Sequence, residues 1–296
     1  MATTIITDLK EKFRHGNICT RFIFINVAVF LVTALTGIFL LLFNRSATGI
    51  FEWVELPASL PRFIMQPWSL LTYMFMHSGV LHLLFNMLWL YWFGTLFLYY
   101  FSAKHLRGVY ILGGICGGLL FMLAYNLFPY FQVLVPHSFM LGASASVLAI
   151  VAATAYREPN HPVQLFLFGT VRLKYLALVV IGMDLLFITS DNGGGHIAHL
   201  GGALAGLWFA MSLSKGHDVT KWINGTIDAV TGLFAPRPRK PKMKVNYGGR
   251  GQDYDYNARR KAQNDEVDRI LDKLKKSGYE SLTTAEKQAL FDASKR

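Results

Sequence analysis

Residues 22–43 run for 22 positions without one Asp, Glu, Lys or Arg. As a helix this run is about 33 Å long at ~1.5 Å per residue, enough to cross the ~30 Å hydrocarbon core of a bilayer. Further apolar stretches follow at about 69–101, 108–127, 138–156, 173–190 and 196–213. In hydrocarbon every backbone polar group must be paired within the chain, which leaves helices or a closed barrel. A barrel needs alternating segments of about ten residues, and the sequence has none. The expected fold is therefore an all-α membrane protein, a bundle of six transmembrane helices. A 53% hydrophobic content over 296 residues, gathered in long runs, excludes an ordinary soluble domain. The first run reads as a retained anchor, because it outlasts a signal-peptide core and lacks a small-residue cleavage site.

The charge of +11 is explained by topology before nucleic acid. Of the eleven Lys and Arg before residue 215, nine fall on the side of the termini, and 18 more lie in the tail. That bias sets both termini in the cytoplasm, makes the lipid bilayer the basic tail's expected partner, and gives no reason to expect nucleic acid. Two cysteines, Cys19 and Cys116, form no disulfide or metal pattern.

Four segments follow from composition: a cytoplasmic N-terminal segment (1–21), the six-helix core (22–214), a basic flexible linker (215–257) and a helical hairpin tail (258–296). In the tail, Val267, Ile270, Leu271 and Leu274 keep helical spacing. Gly278 suits a C-cap, and Thr283 with Glu286 forms a capping box for a second helix. The loop at about 44–67 mixes Trp53, Leu60, Phe63 and Ile64 with prolines and a few charges, so it suits the membrane interface.

Against this apolar background a few polar side chains stand out. His82 and Asn86 are four residues apart near the start of the second span and share one helix face. His77 lies just before them. Ser144, with Ser146 close by, lies a few residues into the fourth span, whose side chains are mostly small; this span should be the buried central helix. His196 and His199 open the sixth. With six spans, these groups fall at similar depth in the outer leaflet. Ionisable groups inside a membrane mark function. A hydroxyl and a histidine at one depth point to nucleophilic catalysis with a general base, and donors from the second span to oxyanion stabilisation. A transporter would carry such groups through the whole depth, whereas the inner halves of these spans are apolar. Spacing does not choose between His196 and His199. Asp184, inside the fifth span, faces either a wet cavity or a neighbouring helix. No metal or cofactor is expected, since His77 and His82 lack ligand spacing and an acidic partner.

The pattern H-x-x-x-x-H-x-x-x-N (His77, His82, Asn86), G-x-S (Gly142, Ala143, Ser144) and A-H-x-x-G-x-x-x-G (Ala198, His199, Gly202, Gly206) resembles the rhomboid family of intramembrane serine proteases. The likeness covers about residues 20–215, with its motifs in order on spans two, four and six. It implies Ser144 as nucleophile and His199 as base, a dyad without an acid, so no catalytic role falls to Asp184. It implies an oxyanion hole of His82, Asn86 and the backbone near Ala143, with His77 and Gly142 in support. Gly202 and Gly206 would let span six pack on span four. The implied substrates are single-span membrane proteins whose helices unwind near small residues, and the implied location is the bacterial inner membrane. Three positions depart from the family's usual pattern: Ala145 follows the nucleophile, Leu148 stands where some members carry an aromatic, and Trp68-Ser69 replaces a Trp-Arg pair. Relatives that only bind membrane clients usually lack the serine or the histidine; both are present here.

Overall fold

The computed structural model describes residues 2–165, 169–234 and 250–294, with backbone alone for 2–6, 9, 234, 250–257 and 294. It divides into two compact units, residues 1–235 and 236–296. The first unit is helical throughout its core. Its principal helices are α1 (Ile18–Leu42), α2 (Val80–Tyr100), α3 (Ala103–Leu127), α4 (Ser144–Arg157), α5 (Leu173–Leu186), α6 (Gly193–Ser214) and α7 (Lys221–Phe234). An N-terminal helix, Ala2–His15, precedes α1.

Four of these, α1, α2, α3 and α6, are long and apolar enough to cross a membrane. The fourth and fifth apolar stretches form shorter helices than their sequence suggests. At 14 residues each, α4 and α5 are about 21 Å long, less than a bilayer core. The shortening of α4 has a local cause. Residues 138–143 are not helical: Phe139–Met140 form strand β2, which pairs antiparallel with β1 (Leu56–Pro57). Gly142 then adopts φ +131°, a conformation that a helix excludes and that glycine alone tolerates readily.

The second stretch also breaks. A short helix (Ser69–Thr72) and a 3₁₀ turn (Tyr73–Phe75) lead to extended residues before α2 starts at Val80. The loop before it is amphipathic, as its composition predicts. Ile50, Trp53, Ile64, Met65 and Trp68 are exposed, while Gln66 is buried and its side-chain amide donates to the carbonyls of Glu52 and Glu55. Strands β3 (Pro162–Leu165) and β4 (Gly169–Arg172) form a hairpin between α4 and α5.

The core sits where α3, α4 and α6 meet. Every residue from Ala145 to Ala155 is buried, so α4 is the central helix. Small residues allow this. A Cβ on Gly202 would overlap the carbonyl oxygen of Ala145, and one on Gly206 that of Ala149. The backbones of α6 and α4 therefore touch, as small-residue stripes permit. On α3, a Cβ on Gly117 would lie 2.7 Å from that of Ala145.

The expected linker 215–257 is helical over α7, which docks on the start of α3. Asp228 accepts from Lys104 and Arg107, and Arg107 also donates to Asn224. Those two cations hold the Asp228 carboxyl below its ordinary pKa. The rest of that segment, 235–249, lies outside the described residues.

In the second unit, α8 (Arg250–Ser277) and α9 (Thr284–Ser294) form a hairpin. The helix begins earlier than residue 258. The capping box forms as its spacing predicts: the Thr283 N–H donates to Glu286 Oε2 at 2.8 Å, and the Glu286 N–H to Thr283 Oγ1 at 3.3 Å. The first of these bonds, with Lys273, lowers the Glu286 pKa to about 2.

Candidate active site

The N-terminal ends of α2, α4 and α6 and the C-terminal half of α5 converge on a cavity of about 210 Å³. Phe85, Asn86 and Trp89 of α2 and Val180 of α5 wall it, together with Ser144, Val147 and Leu148 of α4 and His199 of α6. It is an apolar pocket with three polar side chains, Asn86, Ser144 and His199, aimed into it.

Ser144 is the first residue of α4. The opening turn of a helix leaves backbone N–H groups without intrahelical partners and carries the positive end of the helix dipole. Beside it, a Cβ on Gly142 would stand 3.0 Å from His82 Nε2 and 3.7 Å from Ser144 Oγ. Any side chain there would fill the gap that His82 and Ser144 flank. The Gly142 N–H donates to the Tyr73 carbonyl at 2.9 Å, and this bond, with the β1–β2 pair, fixes the approach to Ser144.

Ser146, the other serine of α4, points elsewhere. It is fully buried, and its Oγ lies 4.0 Å from Met74 Sδ. His82 is oriented from behind: its Nδ1 bonds to Ser78 Oγ at 3.0 Å, which leaves Nε2 toward the gap at Gly142. Ser78 went unremarked in the sequence, although its place four residues before His82 was a usable signal. The Asn86 amide donates to the His82 carbonyl at 2.9 Å; an amide NH₂ has a second donor. His77 is buried in the break before α2, and its ring meets that of His82 edge-on, with centroids 5.1 Å apart.

The two histidines of α6 separate by position. His199 lines the cavity, whereas the His196 ring lies beside Phe187, 6.1 Å between centroids. Both join the residue that the sequence left without a role. Nδ1 of His196 and Nδ1 of His199 each lie 2.8 Å from the same oxygen of Asp184, Oδ1. The Asp184 carboxyl is buried, with 5% side-chain exposure. The structure thus gives Asp184 two partners on a neighbouring helix, where the sequence left its role open. The signal was available: Asp184 sits near the end of the fifth apolar stretch, just before the turn that leads to His196 and His199.

The expectation of no ligand-type cluster is corrected. It weighed His77 and His82, whereas Asp184, His196 and His199 bring three donor atoms within 4.8 Å of one another. Both contacts run to one oxygen at 2.8 Å, the length of a charge-assisted N–H···O bond. Donors around a tetrahedral zinc, each about 2.0–2.1 Å from it, stand roughly 3.4 Å apart. The spacing therefore fits shared protons better than a shared ion.

Residues 65–216, half of the chain, match the family model of the rhomboid domain. The chain belongs to the rhomboid family. Residues 252–296 match a second model, that of a family of unknown function. Among rhomboid relatives, the chain is 33% identical over 147 residues to RHOMBOID-like protein 12, mitochondrial, of Arabidopsis thaliana, covering 46% of this chain and 43% of that protein. It is 27% identical over 181 residues to Rhomboid-related protein 1 of Caenorhabditis elegans, covering 56% and 44%. It is 26% identical over 205 residues to rhomboid protease GluP of Bacillus subtilis, covering 68% and 36%. The match thus spans less than half the length of these rhomboid relatives. Rhomboid membership and four apolar helices of spanning length make this an integral membrane protein.

Proposed function

We propose that the chain is an intramembrane serine endopeptidase that cleaves transmembrane-helix substrates through Ser144 and His199. The carrying observation is that both side chains open into one cavity, with Asn86 beside them and His82 across Gly142. Family membership and the likeness to a protein named as a rhomboid protease support the class of reaction.

In this reading Ser144 Oγ attacks the substrate's peptide carbonyl while His199 Nε2 takes the hydroxyl proton. The carbonyl oxygen becomes an oxyanion, stabilised by His82, Asn86 and backbone N–H groups of the first turn of α4. His199 then gives its proton to the leaving amine as the C–N bond breaks, leaving an acyl-enzyme on Ser144. Water, deprotonated by the same base, releases the acid. The apolar walls, Phe85, Trp89 and Val180, suit a substrate arriving from lipid. All six apolar helices cross the bilayer, with both termini in the cytoplasm of a bacterial inner membrane, and flanking loops complete the span at short α4 and α5.

The test is cleavage of a single-span model substrate by the purified protein. Ser144→Ala and His199→Ala each lose at least about 10³-fold in kcat, while Ser146→Ala keeps wild-type turnover. Cleavage that survives Ser144→Ala refutes the assignment.

A further inference from the structure

We infer that Asp184 is a positioning residue that turns the Ser144–His199 pair into a Ser–His–Asp arrangement, with His196 sharing the same carboxylate oxygen. The inference rests on the proposed protease reading and goes beyond the two-residue machinery that the motifs imply.

The geometry has four parts. The Asp184 Oδ1 to His199 Nδ1 distance is 2.8 Å. An ionised carboxylate can only accept, so Nδ1 of His199 carries the proton and Nε2 keeps its lone pair. His199 lines the cavity with Ser144, so the ring presents one edge to the acid and another to the nucleophile's pocket. The carboxyl is buried, and its second oxygen, Oδ2, has no hydrogen-bond partner among the described residues. A buried acid whose bonds all run through one oxygen to histidines is held for those histidines. Finally, His196 reaches the same oxygen at 2.8 Å from the preceding turn of α6.

When the Ser144 proton moves to His199 Nε2, the ring becomes a cation. Asp184 stays ionised, and its negative charge stabilises that cation until Nε2 passes the proton to the leaving amine. His196 acts one step further out, holding the carboxylate so that Oδ1 faces His199. Asp184 lies on α5, which also gives Val180 to the cavity wall. A helix that helps to wall the pocket thus also orients the base.

The test uses the full chain in detergent or proteoliposomes with a single-span substrate. Asp184→Asn lowers kcat by about 10²–10⁴-fold with KM within about threefold, and lowers the rate at which a fluorophosphonate labels Ser144 by a similar factor. Asp184→Glu, which keeps the charge, recovers part of both, and His196→Ala loses about tenfold. Should Asp184→Asn fail to fold, ¹⁵N-histidine spectra of the wild type decide the matter: His199 is expected protonated on Nδ1 and bare on Nε2, and the opposite tautomer overturns the inference. Asp184→Asn within threefold of wild type, beside inactive Ser144→Ala and His199→Ala, overturns this inference alone. Survival of cleavage in Ser144→Ala instead removes the protease reading beneath it. Wild-type activity that is lost on chelation and restored by zinc also overturns it, since an ion and not protons would then join the three side chains.

Discussion

Helices α1 and α4 are built on opposite rules. The 25 residues of α1 are among the most apolar in the chain, yet only Cys19, Phe22 and Asn26 are buried within the protein. The 14 residues of α4 are smaller and less apolar, and eleven of them in succession are buried. In a membrane, apolarity matches a helix to lipid, while helix–helix packing rewards close approach by small residues. Great apolarity therefore marks the periphery, and smallness marks the centre. The proposed nucleophile stands on the helix that apolarity ranks lower.

Four substitutions press on this contrast. Gly206→Val puts a branched side chain where even a Cβ overlaps the Ala149 carbonyl. It should cost about 3 kcal/mol or more, seen as a large drop in the unfolding midpoint in detergent; a midpoint near wild type would mean that α4 and α6 have room to part. Ile150→Ala leaves a cavity at a fully buried site of α4 and should cost about 2–4 kcal/mol in the same assay. Asn26 is one of the places where α1 does join the bundle: its Nδ2 donates to the Phe22 carbonyl at 2.8 Å and to the Tyr110 hydroxyl at 3.2 Å. Asn26→Leu should cost about 0.6 kcal/mol and no more than ~1.7; a larger loss would make α1 a core element after all. Leu35→Ala, at a site 63% exposed, should stay within about 0.5 kcal/mol. If it matches Ile150→Ala, a second chain covers that face of α1.

How far the sequence revealed this arrangement follows the same division. Charge-free runs locate α1, α2, α3 and α6, because a length of apolar residues is itself the signal for spanning. The hairpin's capping box was equally legible, since Thr283 and Glu286 are three residues apart. What was hidden depends on partners far away in the chain. The start of α4 at Ser144 follows from the φ of Gly142 and the pairing of β2 with β1. The placing of His82 depends on Ser78 and the break before α2. Asp184 lies 12 and 15 residues from the histidines it joins, on another helix, so no periodicity could connect them. Depth in the membrane could have done so, had it been applied to the fifth stretch as to the second, fourth and sixth.

The pairing of Leu56 with Met140 joins residues 84 positions apart, and it lies directly before Ser144. Long-range pairings of this kind form late, after the intervening chain has found its place. In the order of synthesis Ser144 precedes His199 by 55 residues. On the proposed reading Ser144 therefore stands without its base until α6 has been made.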